Sequence, residues 1–183
     1  MDLRRHPFLV LTWGTGFSLV LLLNSCSVGN AHLQDEMLIE RFRSNEAQFK
    51  MLVQKFQEDK KLRMIGLDAA SYSGRLLQGE KELLRLESAG FTKMAWNNYQ
   101  DHFRQLSLVR ILKADSAIEL RVDEQSILNG NSSKGYWYGQ VPPSARLEAS
   151  LNNYRLSRQT GRVGGTMVVR KISTDWYLYL FVE

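Results

Sequence analysis

Trp176-Tyr177-Leu178-Tyr179-Leu180-Phe181-Val182 closes the chain without a single charge. In an extended strand successive side chains point to opposite faces, so Tyr177, Tyr179 and Phe181 share one face and Leu178, Leu180 and Val182 the other. A strand with one wet face alternates apolar with polar, whereas this one is apolar on both, which predicts a central strand. Gly165 to Ile172 precedes it across Ser173-Thr174-Asp175, and the pair reads as a hairpin.

The same period of two extends upstream. Ala117 to Val122 sets Ile118, Leu120 and Val122 against Glu119, Arg121 and Asp123, and Ser107 to Lys113 reads as a strand before it. Asn129 to Ser133 is turn-rich. Lys134 to Gln140 carries Tyr136-Trp137-Tyr138 and stops at Pro142-Pro143. Ala145 to Asn153, with Leu147 and Leu151 four apart, predicts a short helix.

Before Ser107 the period is helical. Trp96, Tyr99, Phe103 and Leu106 recur at three, four and three over Lys93 to Leu106. Thr92 is placed to cap this helix, with Phe91 to staple against Trp96. Leu38, Phe42, Asn45, Phe49, Leu52 and Phe56 form a second stripe. Glu36 to Met64 contains neither Gly nor Pro, which predicts one long helix packed on a sheet. Gly66 to Gly90 is interrupted by Ser73-Gly74 and Gly79, with a short helix expected at Glu80 to Glu87. Helices first and an antiparallel sheet after them make the fold class α+β.

With 183 residues, 44% hydrophobic and only three Pro, the chain is long enough for one domain with a real core and is not a disordered sequence. One Cys and three His exclude a disulfide framework and a multi-cysteine zinc site, and no cofactor or metal is expected. Nucleophile motifs of the G-x-S-x-G type, H-E-x-x-H and phosphate loops are absent. Gly161-Arg162-Val163-Gly164-Gly165 precedes a strand rather than a helix, so it lacks the N–H groups that hold phosphate. His102, beside Phe103, reads as a helix-surface residue. Asp115, Glu119, Asp123 and Glu124 read as solvated charge rather than the acid pair of a glycosidase. A non-enzymatic protein is therefore expected.

Residues 1–26 read as an address. Arg4 and Arg5 precede an uncharged stretch from Pro7 to Ser25, about as long as a membrane span of roughly 20 residues, that ends Leu23-Asn24-Ser25-Cys26. This ending resembles the signal of bacterial lipoproteins: a branched apolar residue, a tolerant position, a small residue, then Cys. The resemblance implies diacylglyceryl transfer to the Cys26 thiol, cleavage between Ser25 and Cys26, and acylation of the freed amine. Several acyl chains give the stable anchoring that one does not. An uncleaved membrane helix and an ordinary secretory signal are the alternatives. The absence of Asp after the Cys, where Ser27 stands, leans toward the outer rather than the inner membrane of a Gram-negative host.

Cleavage would remove Arg4, Arg5 and Asp2, taking the formal net charge from +5 to +4. With no long basic run, no nucleic-acid partner is expected. The resulting layout is a signal peptide over 1–25, a lipidated tether over 26–35 and a single α+β domain over 36–183.

The stretch from about Phe91 to Glu183, through Trp96-Asn97-Asn98-Tyr99, Ser133-Lys134-Gly135-Tyr136, Pro142-Pro143 and Asp175-Trp176-Tyr177-Leu178-Tyr179, also resembles a group of uncharacterised proteobacterial lipoproteins. That likeness implies a fold and no activity. The reading of function is a lipid-anchored envelope protein whose domain binds a protein partner in an assembly, exclusion or immunity-type role. Tyr136, Trp137 and Tyr138 are its possible contact residues, rimmed by Arg146, Arg155 and Arg158. The alternative is a carrier or sensor of a small apolar ligand held between helix and sheet.

Overall fold

The computed structural model describes residues 32–78, 87, 90–127, 130–152 and 165–183. The signal stretch, Cys26, the predicted helix at 80–87, Arg155, Arg158 and residues 161–164 lie outside them. Three described helices, α1 (Asp35–Ser44), α2 (Glu46–Glu58) and α3 (Lys93–Leu106), accompany one nine-stranded sheet. The strands are β1 (Leu62–Gly66), β2 (Ala69–Tyr72), β3 (Arg75–Gln78), β4 (Arg110–Ala114), β5 (Ala117–Ile127), β6 (Gly130–Gly139), β7 (Arg146–Leu147), β8 (Thr166–Ser173) and β9 (Trp176–Val182). Their order across the sheet is β3-β2-β1-β4-β5-β6-β9-β8-β7, and every neighbouring pair is antiparallel except β7 with β8. The fold is α+β, and the final strand is central, as its two apolar faces require.

The single long helix expected over Glu36 to Met64 is instead two helices and a strand. At Asn45 the backbone leaves helical geometry (φ −129°, ψ 19°) and the side-chain amide donates to Arg41 O, so the helix restarts there. The apolar stripe survives the break: Leu38, Phe42, Phe49, Leu52 and Phe56 are all buried. Asp59 ends α2, its carboxylate accepting from the N–H groups of Lys61 and Leu62 to turn the chain into β1. Strand β1 thus begins inside the stretch expected to be helical, while β2 and β3 occupy the stretch the sequence left undecided.

Helix α3 has the bounds read from its periodicity. The Thr92 hydroxyl accepts from Ala95 N at 3.1 Å, and Phe91 stacks on Tyr99. Thr92→Ala is expected to lower stability by about 1 kcal/mol, measured by urea unfolding, because it leaves one N-terminal N–H without its acceptor. No helix forms over Ala145 to Asn152; Glu148 N donates to Val169 O and β7 pairs with β8.

All three helices pack against one face of the sheet. There Phe42, Phe49, Tyr136 and Trp176 meet at ring-centroid distances of 4.7 to 6.0 Å, and Leu120, Leu178 and Leu180 complete the seam. A smaller cluster of Trp137, Met167, Val169 and Tyr179 lies on the other face, under Val141 and Ala145 as the chain folds back after β6.

Candidate functional site

The sheet face that carries no helix among the described residues is built by strand alternation. Glu119 and Arg121 of β5 point to it, opposite Ile118 and Leu120 in the core. A bulge between Arg121 and Asp123 then shifts the register by one. Asp123 turns to the helix side and Glu124 returns to the free side.

Tyr179 on β9 and Glu119 on β5 are separated by β6, so their backbones stand about 10 Å apart. The Tyr179 hydroxyl nevertheless donates to Glu119 Oε1 at 2.5 Å. It reaches across β6 at the level where Gly135, the register partner of both Tyr179 and Arg121, presents no side chain. Burial, and then the neighbouring Glu119 charge, push the Tyr179 phenol well above its ordinary value, so it stays a donor.

Arg121 Nε donates to Glu119 Oε1 at 2.5 Å and Nη1 to Glu124 Oε1 at 2.7 Å. Burial works against the guanidinium charge, but the bonds and charges of these two acids outweigh it and raise its pKa. Arg110 is the direct cross-strand partner of Arg121, so two like charges stand side by side. Glu124 answers both, its second oxygen 3.4 Å from Arg110 Nη2. Arg110 Nε is out of solvent and has no hydrogen-bond partner among the described residues. Beside this pair opens a cleft of about 420 Å³, walled by Gln125, Asn131, Ser132, Ser133, Phe181 and Glu183.

On the helix side of the same strands lies a polar latch. His32 is 5% exposed, with Nδ1 2.8 Å from Asp123 Oδ2 and Nε2 2.8 Å from Ser132 Oγ. Asp35 is fully buried. Its Oδ1 lies 2.8 Å from Lys134 Nζ, while Oδ2 accepts from Leu151 N at 2.7 Å and Arg170 Nη1 at 3.0 Å. Lys134, itself 2% exposed, also donates to Leu33 O. Residues 32–35, read from the sequence as the end of the tether, are thus part of the folded domain. The periodicity of the helix gave no hint of this, because the partners of these residues lie more than ninety positions away.

The aromatic triad expected to contact a partner is not on the surface. Tyr136 is fully buried and its hydroxyl donates to Leu38 O; Trp137 is 6% exposed and donates Nε1–H to Gln140 O. Tyr138 is half-buried against Trp176. β6 lies between β5 and β9 with both faces covered at this level, so each of its rings finds a core. Arg146 is exposed on the short β7. Of the acidic residues read as solvated, Asp115 is exposed at its turn, but Glu119 is 7% exposed, and Glu119, Asp123 and Glu124 each lie against a His or Arg side chain. His102 sits on α3 beside Lys55. Burial and then the Lys55 charge lower its pKa, so it rests as the neutral imidazole. Among the described residues no group of three or more His, Cys, Asp or Glu is arranged to hold a metal ion.

Arg110 and Arg121 were missed by sequence reading, although a signal was present. Pairing the two strands about the Asp115-Ser116 turn sets these arginines opposite one another.

A second feature of the free face is apolar. One register row runs Leu76, Ser71, Met64, Leu112 and Glu119 across β3, β2, β1, β4 and β5. Leu76 is 58% exposed, and Met64 and Leu112 are half-buried. No protein-family model, curated protein or solved structure matches this chain.

Proposed function

We propose that this protein is a lipid-anchored lipoprotein of the bacterial cell envelope, attached through Cys26 and facing the periplasm, with the outer membrane favoured over the inner. Its α+β domain acts as a non-enzymatic binding module for an envelope protein, in an assembly, exclusion or immunity-type role. The observation that supports this reading is the one-sided sheet. Helices cover one face, while the other leaves the row Leu76, Met64 and Leu112 accessible among the described residues. Accessible apolar side chains grouped in this way, here interrupted by Ser71, are where partners dock. The carrier alternative needs space between helix and sheet, and that seam is filled by Phe42, Phe49, Tyr136 and Trp176.

The test is affinity isolation of the tagged full chain from cross-linked membranes, with Leu112→Glu and a Lys50→Glu control on the outer surface of α2. Leu112→Glu is expected to reduce recovery of a specific partner at least fivefold, and Lys50→Glu to leave it unchanged. Equal recovery in all three sinks the binding-module reading. In parallel, Cys26→Ala is expected to accumulate as the uncut precursor and to lose acyl labelling. Normal processing of that variant refutes the anchor.

A further inference from the structure

We propose that a basic corner of the domain, gathered around Asp59 where α2 turns into β1, docks an acidic segment of a protein partner. This rests on the binding-module reading above and adds a second surface to it, separate from the row through Leu112.

Lys60, Lys61 and Arg63 are exposed at this turn, with Lys55 and Lys113 half-buried beside them. Lys113 Nζ donates to the backbone oxygen of Asp59, which ties the end of β4 to the turn. Three of the lysines stand over ring faces: Lys55 4.9 Å from the centroid of Tyr99, Lys61 6.0 Å from that of Tyr72 and Lys113 5.0 Å from that of Phe56. A ring face steadies an ammonium group without cancelling its charge. Carboxylates do not cancel it either. Among the described residues Lys55, Lys60, Lys61 and Lys113 have no carboxylate within ion-pair distance, whereas Arg121, Lys134 and Arg170 each lie on one. The acids nearby are Glu58, Asp59 and Asp115, and the Asp59 carboxylate is engaged by the N–H groups of Lys61 and Leu62.

The crowding is felt at Lys113. Burial lowers its pKa, the Asp59 charge opposes this, and the charges of Arg63 and Lys60 lower it again. Incoming carboxylates relieve such crowding, and lysines already held over rings lose little freedom in meeting them. Four of the five cations are ammonium groups, which meet carboxylates one by one; the guanidinium fork that grips phosphate bidentately is present once, in Arg63. The corner also stands away from the anchor. Lys113 is in register with Ile118 and Ile118 with Tyr138, and Tyr138 is six residues along β6 from Ser132, which holds His32, a distance of about 20 Å. On the lipid-anchored reading the chain leaves for the bilayer from that other end, with only Ser27 to Ala31 between Cys26 and His32. Carboxylates of a protein, rather than headgroups of the anchoring bilayer, are the anions this corner is placed to meet.

The full-length lipidated protein in a nonionic detergent is titrated into fluorescein-labelled octaglutamate and, separately, a labelled glycine–serine octapeptide, with anisotropy as the readout and phosphatidylglycerol vesicles as competitor. Saturable binding of octaglutamate is expected, at least tenfold tighter than that of the neutral peptide and weakened as salt is raised. Lys60→Gln with Lys61→Gln should weaken it at least fivefold at an unchanged melting temperature. Lys50→Gln with Lys171→Gln removes the same charge from exposed sites elsewhere and should weaken it less than twofold. Leu112→Gln should leave it unchanged. No saturable binding, equal losses in the two lysine pairs, or tighter binding to the vesicles than to octaglutamate overturns the acidic-segment assignment. A loss in Leu112→Gln as large as that in the Lys60 and Lys61 pair overturns the corner as its place. Failure of the binding-module reading is read separately, from partner recovery with Leu112→Glu and Lys50→Glu.

Discussion

Gly135→Ala is expected to cost about 3 kcal/mol or more, a large share of the 5 to 15 kcal/mol that holds an ordinary domain together. A Cβ at this position would stand 2.1 Å from Leu120 O and 3.0 Å from Arg121 Cα. Both are backbone atoms of the neighbouring strand, so no rotamer change relieves the contact, and β5 and β6 must separate at the centre of the sheet. The Tyr179 side chain crosses the strand at the same place, and its bond to Glu119 would be strained as well. Gly74→Ala is the control. Gly74 has φ +78° with nothing within 4 Å of the added methyl, so only the left-handed backbone is penalised, by about 1 to 2 kcal/mol. Urea unfolding of the two variants, with soluble yield as a second readout, should separate them clearly. Equal stabilities would mean that the two strands can part at no cost.

Removing Asp35 should be comparably severe. Asp35→Ala strands Lys134, which is almost fully buried, without its counter-charge, and breaking such a pair costs about 3 to 5 kcal/mol. The double variant Asp35→Leu with Lys134→Met is expected to recover part of that loss, since it leaves no lone buried charge. Burial raises the Asp35 pKa, but hydrogen bonds from Lys134, Leu151 N and Arg170 outweigh it and set the group below its ordinary value of 3.8. A carboxyl with a lowered folded pKa contributes its stability above the unfolded pKa and loses it as pH falls through the folded one. Unfolding free energy should therefore decline below about pH 4, and Asp35→Asn should flatten that part of the profile. Urea melts between pH 2.5 and 7 read it out; an unchanged acid slope in Asp35→Asn would assign the decline to other carboxylates.

The parts of the fold legible in the sequence were those fixed by local periodicity. The last hairpin, the faces of β9 and the bounds of α3 follow from side-chain spacing alone. Asn45 and Asp59 were harder, because each acts through side-chain bonds to nearby backbone without interrupting the apolar stripe. The bulge after Arg121 was invisible for a different reason. It exchanges the faces of Asp123 and Glu124 through a single unpaired residue, and the pairing partner, not the strand itself, fixes its place. The candidate site suffered most. Tyr136-Trp137-Tyr138 drew attention as aromatic surface, yet a strand between two neighbours buries both of its faces. Arg110 and Arg121, eleven positions apart, become neighbours only through the β4–β5 register.

The latch also sets an order of events during folding. It ties the first described residues to some of the last: His32 to Ser132 across 100 positions, Asp35 to Leu151 across 116, and Asp35 to Arg170 across 135. A chain emerging from its N-terminus carries α1 and α2 long before their seam exists, because Tyr136, Trp176 and Leu178 are made late. Contacts of such sequence separation close slowly. Asp35 stays hydrated until Lys134 and Arg170 arrive, so its charge is not buried ahead of its partners. A chain cut short before Arg170 lacks β9, so Phe42 and Phe49 are left without Trp176 to pack against and Asp35 without one of its cations.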